Sequence, residues 1–379
     1  MNRYLIVSTV FAIFSEALTY HFVIDLKLFY FILFLNIIIL ISKAGFHISI
    51  ISIKIFLILT FLSLISVIRA TNEIQKIIPQ LLGIFFTSQY FYLFFKYLKE
   101  EINYIFELYC KFALVNSIFG VIFSFGGFFI LNEYLPVKGI MLEPAHFATI
   151  TLPAWYFLSK SISFFNWKTL TLLFSIILSF SSLGILGLIF GILLYPKKIS
   201  IKKIIIPSVL STILFVGLYN NLTDFKIRID DTIHAFDDQN LNGANLSTYA
   251  ILSNYFVAKQ SFSNSPIIGS GIGSHPISHK KYIDTIDGIE FLAEEYRVLN
   301  ANDANSLFLR LLSELGLFGI AMAFYFILKF YSFRFVDKSK SILIYFFCKL
   351  FREGHYFSPE MYFFINIYAL NKIDNDHTR

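Results

Sequence analysis

Apolar residues run along this chain in long blocks separated by short polar stretches. The blocks are too long and uniform for the alternating faces of a half-buried strand or the single stripe of a surface helix. A helix needs about 20 apolar residues to cross a hydrocarbon core, and backbone groups in lipid must be satisfied within the segment, so each block predicts a helix. The clear spans are Tyr4 to Thr19, Leu28 to Ser42, Ile48 to Ile68, Ile78 to Phe95, Ile105 to Leu131, Ala145 to Leu158, Ile201 to Tyr219 and Ser306 to Phe330. Thr169 to Tyr195 is too long for one crossing, and Phe180-Ser181-Ser182-Leu183-Gly184 in its middle predicts the turn of a helix pair. Ser341 to Leu350 and Met361 to Leu370 are short and read as half-length segments around Arg352 to Pro359. The expected fold is an all-α polytopic integral membrane protein with about twelve transmembrane helices.

Lys and Arg in short loops favour the cytoplasmic side. Placing Lys197, Lys198, Lys202 and Lys203 inside also places Lys96, Lys99, Lys160, Lys168, Arg334, Lys338 and Lys340 inside, with both termini cytoplasmic. Asn220 to Asn305 then forms one large extracytoplasmic loop, far longer than an ordinary connection. The chain divides into a membrane domain over 1–219 holding nine helices, the loop at 220–305, the last membrane helices at 306–371 and a cytoplasmic tail at 372–379. Met1-Asn2-Arg3 and the apolar run behind it read as an uncleaved first helix. Within the loop, Ser247 to Gln260 predicts an amphipathic helix. No internal repeat and no matching pair of Gly/Pro-broken helices marks a transporter site.

Composition agrees. Hydrophobic residues make up 56% of the chain and charged ones 15%, against roughly a quarter charged in soluble domains, which excludes an ordinary soluble fold. Cys110 and Cys348 lie inside apolar runs and read as core residues, with neither a disulfide framework nor a cysteine metal site. The net charge of +6 is scattered between apolar spans, which argues against nucleic-acid binding. The abundance of Phe, Ile, Lys, Asn and Tyr hints at an A/T-rich bacterial genome.

Four stretches carry candidate chemistry. In Lys138 to Ala148, Glu143 and His146 stand three apart around Pro144, on one helix face, and can act together on one proton or hydroxyl; the alternative is a carboxylate favoured by the helix dipole beside an interfacial His. In Leu299 to Gly319, Arg310 and Glu314 enter the membrane four apart, either on a functional pathway or as a helix-locking ion pair. Ser265 to His275 holds Gly269, Gly271 and Gly273, a turn whose N–H groups can approach an anion or simply reverse the chain. Asp230-Asp231 and Asp237-Asp238 can hold a divalent metal or form a solvated acidic surface. Arg69, Arg228, Arg297 and Arg352 lie outside against the positive-inside trend, which suits an anionic ligand such as a pyrophosphate.

Taken in order, Gly139 to Ala148 (GIMLEPAHFA), Phe180 to Gly187 (FSSLGILG), Pro266 to Gly273 (PIIGSGIG), Asn302 to Gly319 (NDANSLFLRLLSELGLFG) and Arg352 to Tyr356 (REGHY) resemble the O-antigen polymerases, the oligosaccharide repeat unit polymerases of bacterial envelopes. The likeness implies a GT-C-like fold in the bacterial cytoplasmic membrane and a glycosyltransferase that joins undecaprenyl-diphosphate-linked repeat units into O-antigen or capsule, without metal, nucleotide or other cofactor. It also implies functional company with a flippase and a chain-length regulator. The alternatives are an O-antigen ligase and a flippase-type transporter; Ala304-Asn305, where ligases commonly show His-Asn, counts against the ligase. On this reading Arg310 and Arg352, helped by Arg228 or Arg297, grip the pyrophosphate, and Gly269, Gly271, Gly273 and Asn305 contact substrate. Glu143, aided by His146, is the general base and Asp303 the reserve. Tyr249, Tyr255, Tyr282 and Tyr296 of the Trp-free loop offer sugar-stacking faces.

Overall fold

The computed structural model describes residues 1–21, 25–131, 135–195, 245–286 and 294–376, with part of 209–237. The described chain is helical but for a two-stranded hairpin, β1 (Thr19–His21) and β2 (Asp25–Lys27), paired antiparallel with Tyr20 opposite Leu26. The first half holds α1 (Asn2–Phe14), α2 (Leu28–Ala44), α3 (Ile50–Ile68), α4 (Ile74–Tyr97), α5 (Ile102–Leu131), α6 (Pro144–Ser161), α7 (Trp167–Leu178) and α8 (Ser182–Leu194). After them come α9 (Thr223–Asp237), α10 (Leu246–Asn264), α11 (His275–Tyr282), α12 (Glu294–Arg297), α13 (Leu307–Lys329), α14 (Val336–Phe351) and α15 (Pro359–Asp376).

The expected twelve-span, GT-C-like architecture is overturned. Among the described residues four helices are long and apolar enough to cross a membrane: α3, α4, α5 with its 3-10 lead-in, and α13. Four further apolar helices, α1, α2, α7 and α8, stop short because local turn chemistry interrupts them. α1 ends at Ser15, and α2 ends at Gly45 with φ +74, where only glycine is unstrained. α7 and α8 are parted by Phe180, and Ser181 caps α8 by accepting from the Gly184 amide at 3.2 Å. The span expected at Ile201 to Tyr219 lies largely outside the described residues. The described residues form a helical assembly, with one short hairpin, whose several apolar, partly buried helices suit a membrane-associated protein.

α6 is the centre of this assembly. Every residue from Ala145 to Tyr156 is buried, and α5, α7, α8 and α14 pack around it. Close approach of α8 rests on three glycines: a Cβ on Gly184, Gly187 or Gly191 would meet Ala148, Leu152 or Trp155 of α6 at 2.9, 2.3 and 2.9 Å. Small residues at such spacing let apolar helices pack backbone to backbone. The FSSLGILG stretch is therefore a turn followed by a packing stripe.

Residues 246–282 fold against α13 through an exchange of hydrogen bonds. α13 breaks at Gly316 (φ +60, ψ −149), so the amides of Leu317 and Phe318 lose the carbonyls of Ser313 and Glu314. Pro266 O accepts from Leu317 N–H at 2.8 Å and Ile267 O from Phe318 N–H at 3.0 Å. In return Ser270 N–H donates to Ser313 O at 3.0 Å and Gly271 N–H to Glu314 O at 2.8 Å. A break in an apolar helix is tolerated where neighbouring backbone re-satisfies the freed groups. Gly271, at φ +96, leaves no room for a side chain: its Cβ would lie 2.1 Å from Ser66 Oγ.

Gly271→Ala is expected to destabilise the protein by about 1–3 kcal/mol through overpacking, read as a fall in melting temperature in detergent. Gly126→Ala, where a Cβ meets open space, should leave the transition unchanged or raise it.

Candidate functional site

An ion network closes where the C-terminal ends of α1 and α14 meet the N-terminal ends of α6, α13 and α15. Glu143 is the N-cap residue of α6 but makes no capping bond. Its carboxylate instead faces Arg352 Nη2 at 3.3 Å on the protein surface. One turn further, His146 points inward and is 7% exposed. Its Nδ1 is hydrogen-bonded to the Glu16 carboxylate. Its Nε2 lies 3.6 Å from Glu353 Oε2 and 3.5 Å from Glu360 Oε1. Lys349 Nζ donates to the same two oxygens, at 2.8 and 3.2 Å, and Lys27 Nζ reaches Glu16 at 3.2 Å.

Charge balance decides the protonation state. Three carboxylates face two lysines, so the network is neutral only with His146 protonated. Burial pushes the Glu16 carboxyl up, but His146 and Lys27 outweigh it and hold the group at about 2. Burial likewise opposes the His146 cation, yet Glu353 and Glu16 raise its pKa well above the ordinary imidazole value. Glu143 and His146, expected to act on one proton, are thus turned to different partners: Glu143 outward to Arg352, His146 inward to Glu16.

A second layer lies behind the first. Arg310, expected to grip a pyrophosphate, is 1% exposed. It donates from Nε to Glu314 Oε1 at 3.2 Å and from Nη1 to Gly354 O at 2.8 Å, and stacks 4.3 Å from the Tyr356 ring centre. The glycine turn does cradle an anion, and the anion is the protein's own: Gly273 N–H donates to Glu314 Oε2 at 2.8 Å and His275 N–H to Oε1 at 3.2 Å. Gly269, whose Cβ would meet Glu314 backbone at 2.3 Å, is needed for that docking.

The turn at 300–306 ties the layers together. Asn300, Ala304 and Asn305 take φ of 57°, 59° and 57°, and Glu353 takes 65°. Such backbone persists only where surrounding contacts over-determine it. Here Glu353 N–H donates to Asn305 O at 3.1 Å, Ser306 Oγ to Leu350 O at 2.6 Å, and Gly354 sits so close to Asp303 O that a Cβ would lie 1.6 Å away. Asn305 is buried and accepts from the Asn300 side chain. Asp303 Oδ2 stands 3.5 Å from Nε2 of the exposed His355.

The sequence candidates therefore divide. Glu143, His146, Asp303, Asn305, Arg310 and Arg352 converge on this end of the helices, and Gly269, Gly271 and Gly273 reach it through Glu314. Arg297 ends α12, where its carbonyl accepts from the Tyr249 hydroxyl at 3.1 Å. Tyr249 is buried, so it offers no sugar-stacking face. The side chain of Arg228 and residue Asp238 lie outside the described residues. Asp230 and Asp231 accept from Tyr219 and Asn245. Glu16, Lys27, Lys349, Glu353 and Glu360 were not singled out by sequence. The available signal was Lys349 inside an apolar block with Glu353 four residues on, since ionisable groups in such a block are costly without a partner.

Comparison of the chain with protein-family models, with curated proteins and with solved structures finds no match. The polymerase assignment, with the lipopolysaccharide role attached to it, required an extensive polytopic membrane architecture; the four candidate crossings among the described residues overturn it, together with its ligase and flippase alternatives.

Lys349→Met leaves Glu353 and Glu360 without their ammonium and is expected to cost about 3–5 kcal/mol, with part recovered in Lys349→Met/Glu360→Gln; unfolding in denaturant measures both. A second expectation concerns His279 in α11. Burial lowers its pKa to about 4, below the unfolded value of about 6.5, so the unfolded chain binds the proton first. Stability is then full above about pH 6.5 and is lost as pH falls towards 4. His279→Gln should make the melting temperature less steep in pH across that window.

Proposed function

We propose that this chain is a membrane-associated group-transfer enzyme of the glycosyltransferase class, acting on an amphipathic substrate that carries a phosphate-activated sugar. The observation that carries the reading is the ion network itself. Charged side chains inside an apolar helical assembly are costly and mark function by default, and here Glu143, Arg352, Asp303 and His355 stand on the accessible rim of a buried, balanced cluster.

Arg352 is the phosphate-binding group, because its guanidinium is partly exposed and, among the described residues, is held by an exposed carboxylate. An incoming phosphate takes that guanidinium and releases Glu143. The freed carboxylate accepts the proton of an acceptor hydroxyl, whose oxygen bonds to the anomeric carbon while the carbon–oxygen bond to phosphate breaks and its electron pair leaves with the phosphate. Arg310, closed off behind Tyr356, positions the 350–356 segment. The proposed location is a bacterial cytoplasmic membrane with the network end outward. Helix α1 then starts at the opposite end, where Tyr97 meets Asn2 and where Lys338 and Lys340 bond to Asn103 and the Leu194 carbonyl, and α15 runs from the network towards that end.

Purified protein in liposomes, given a synthetic prenyl-phosphate sugar donor and a sugar acceptor, should form product detectable by mass spectrometry. Glu143→Gln should slow transfer by about 10²–10⁴-fold, the usual worth of a general base, and Arg352→Lys should be less impaired than Arg352→Ala. Equal rates in wild type and Glu143→Gln would remove Glu143 from the reaction, and an inert donor would sink the class assignment.

A further inference from the structure

Beneath the rim, the buried His146 and Glu360 and the half-buried Glu353 come from α6, α15 and the 352–358 turn. Each offers one ligand atom, and these atoms lie within 4.8 Å of one another, the one such group among the described residues. We propose that these three side chains form a binding site for a divalent transition-metal cation of zinc's size and ligand preference, with Glu16 orienting the histidine.

The spacing fits. Ligands at about 2.0–2.2 Å around a tetrahedral ion stand about 3.3–3.6 Å from one another. His146 Nε2 lies 3.6 and 3.5 Å from the nearest oxygens of Glu353 and Glu360. The imidazole is also prepared for the role. Its Nδ1 is bonded to Glu16, and Nε2 is turned towards the two carboxylates, so an ion that displaces the Nε2 proton meets the carboxylate–histidine arrangement that orients metal ligands.

Two atoms are left wanting a partner. His146 Nε2 and Glu353 Oε1 are buried and make no hydrogen bond, although buried polar atoms of this kind are normally satisfied. Lys349 is the competitor. Its ammonium holds Glu353 Oε2 and Glu360 Oε1, the same oxygens that face Nε2, and so occupies the role of resident cation. A divalent ion takes over those oxygens, replaces the proton on Nε2, and leaves Glu353 Oε1 for the ammonium. Three protein ligands keep a fourth position for water or a substrate oxygen. The inference stands whether or not the group-transfer reading holds, because it concerns binding alone.

The test uses the full chain, without a histidine tag, in detergent micelles after chelator treatment. Bound zinc is measured by elemental analysis after dialysis, and cobalt by its visible absorption. Wild type should bind one equivalent, with affinity lowered about 10–100-fold in Glu16→Gln and binding abolished in His146→Gln. Lys349→Met should bind more tightly than wild type and gain melting temperature on adding zinc. His146→Gln is checked for folding by its thermal transition; if it fails to fold, Glu16→Gln and Lys349→Met decide. The proposal is overturned if wild type and Lys349→Met take up no ion, or if uptake is unchanged in the His146 and Glu16 variants.

Discussion

Three carboxylates, one buried and two largely so, at one end of an apolar helical assembly set the constraint on which this structure depends. Each costs several kcal/mol to desolvate unless matched by a cation in good geometry. Glu16, Glu353 and Glu360 meet that condition only together, through Lys27, Lys349 and His146. The matching partners belong to the turn after α1, the β hairpin, α6, α14, the turn after it and α15, so the requirement for neutrality brings these ends to one place. Apolar packing against α6 is non-directional and sets how closely the helices lie. The charges settle how they are aligned end to end.

The broken α13 solves a related problem with backbone groups. Gly316 removes two helical hydrogen bonds in an apolar setting, and the glycine turn at 265–275 returns four. The same turn turns two amides towards Glu314, whose carboxylate in turn holds Arg310. Arg310 then anchors Gly354 and the 350–356 segment that carries Glu353 and Arg352. One continuous set of bonds therefore runs from the 265–275 turn, through the break in α13, to the ion network at the rim.

Division between a buried and an exposed layer gives the site its chemical character. His146 and Arg310 are closed in and held by neighbouring carboxylates, which makes them charges that hold geometry. Glu143, Arg352, Asp303 and His355 lie where a ligand can compete for them. Such a layout separates preorganisation from exchange: the inner charges pay their desolvation once, on folding, and the rim groups stay free to trade partners.

Much of the secondary structure was legible in the sequence because the physics behind it is local. Apolar blocks become helices wherever backbone groups have no water to satisfy them, and α3, α4, α5 and α13 follow their blocks closely. Turn chemistry at Phe180 to Gly184 was readable for the same reason, as were the two buried cysteines. Arg310 and Glu314 were recognisable as costly charges in an apolar block, Glu143 and His146 as a pair on one helix face, and Arg352 as a cation on the outer side. Hydropathy could not say how many blocks become full crossings, because Ser15, Gly45 and the turn before Ser181 end helices that composition alone would continue. Nor could spacing say who partners whom. Glu16 meets His146 across 130 residues and Glu143 meets Arg352 across 209, and no local pattern encodes a pairing at such separation. Helical periodicity placed Glu143 and His146 near one another; only the packed ends of α1, α14 and α15 decided that one faces outward to a guanidinium and the other inward to a carboxylate, because a buried charge takes the partner that tertiary structure brings within reach.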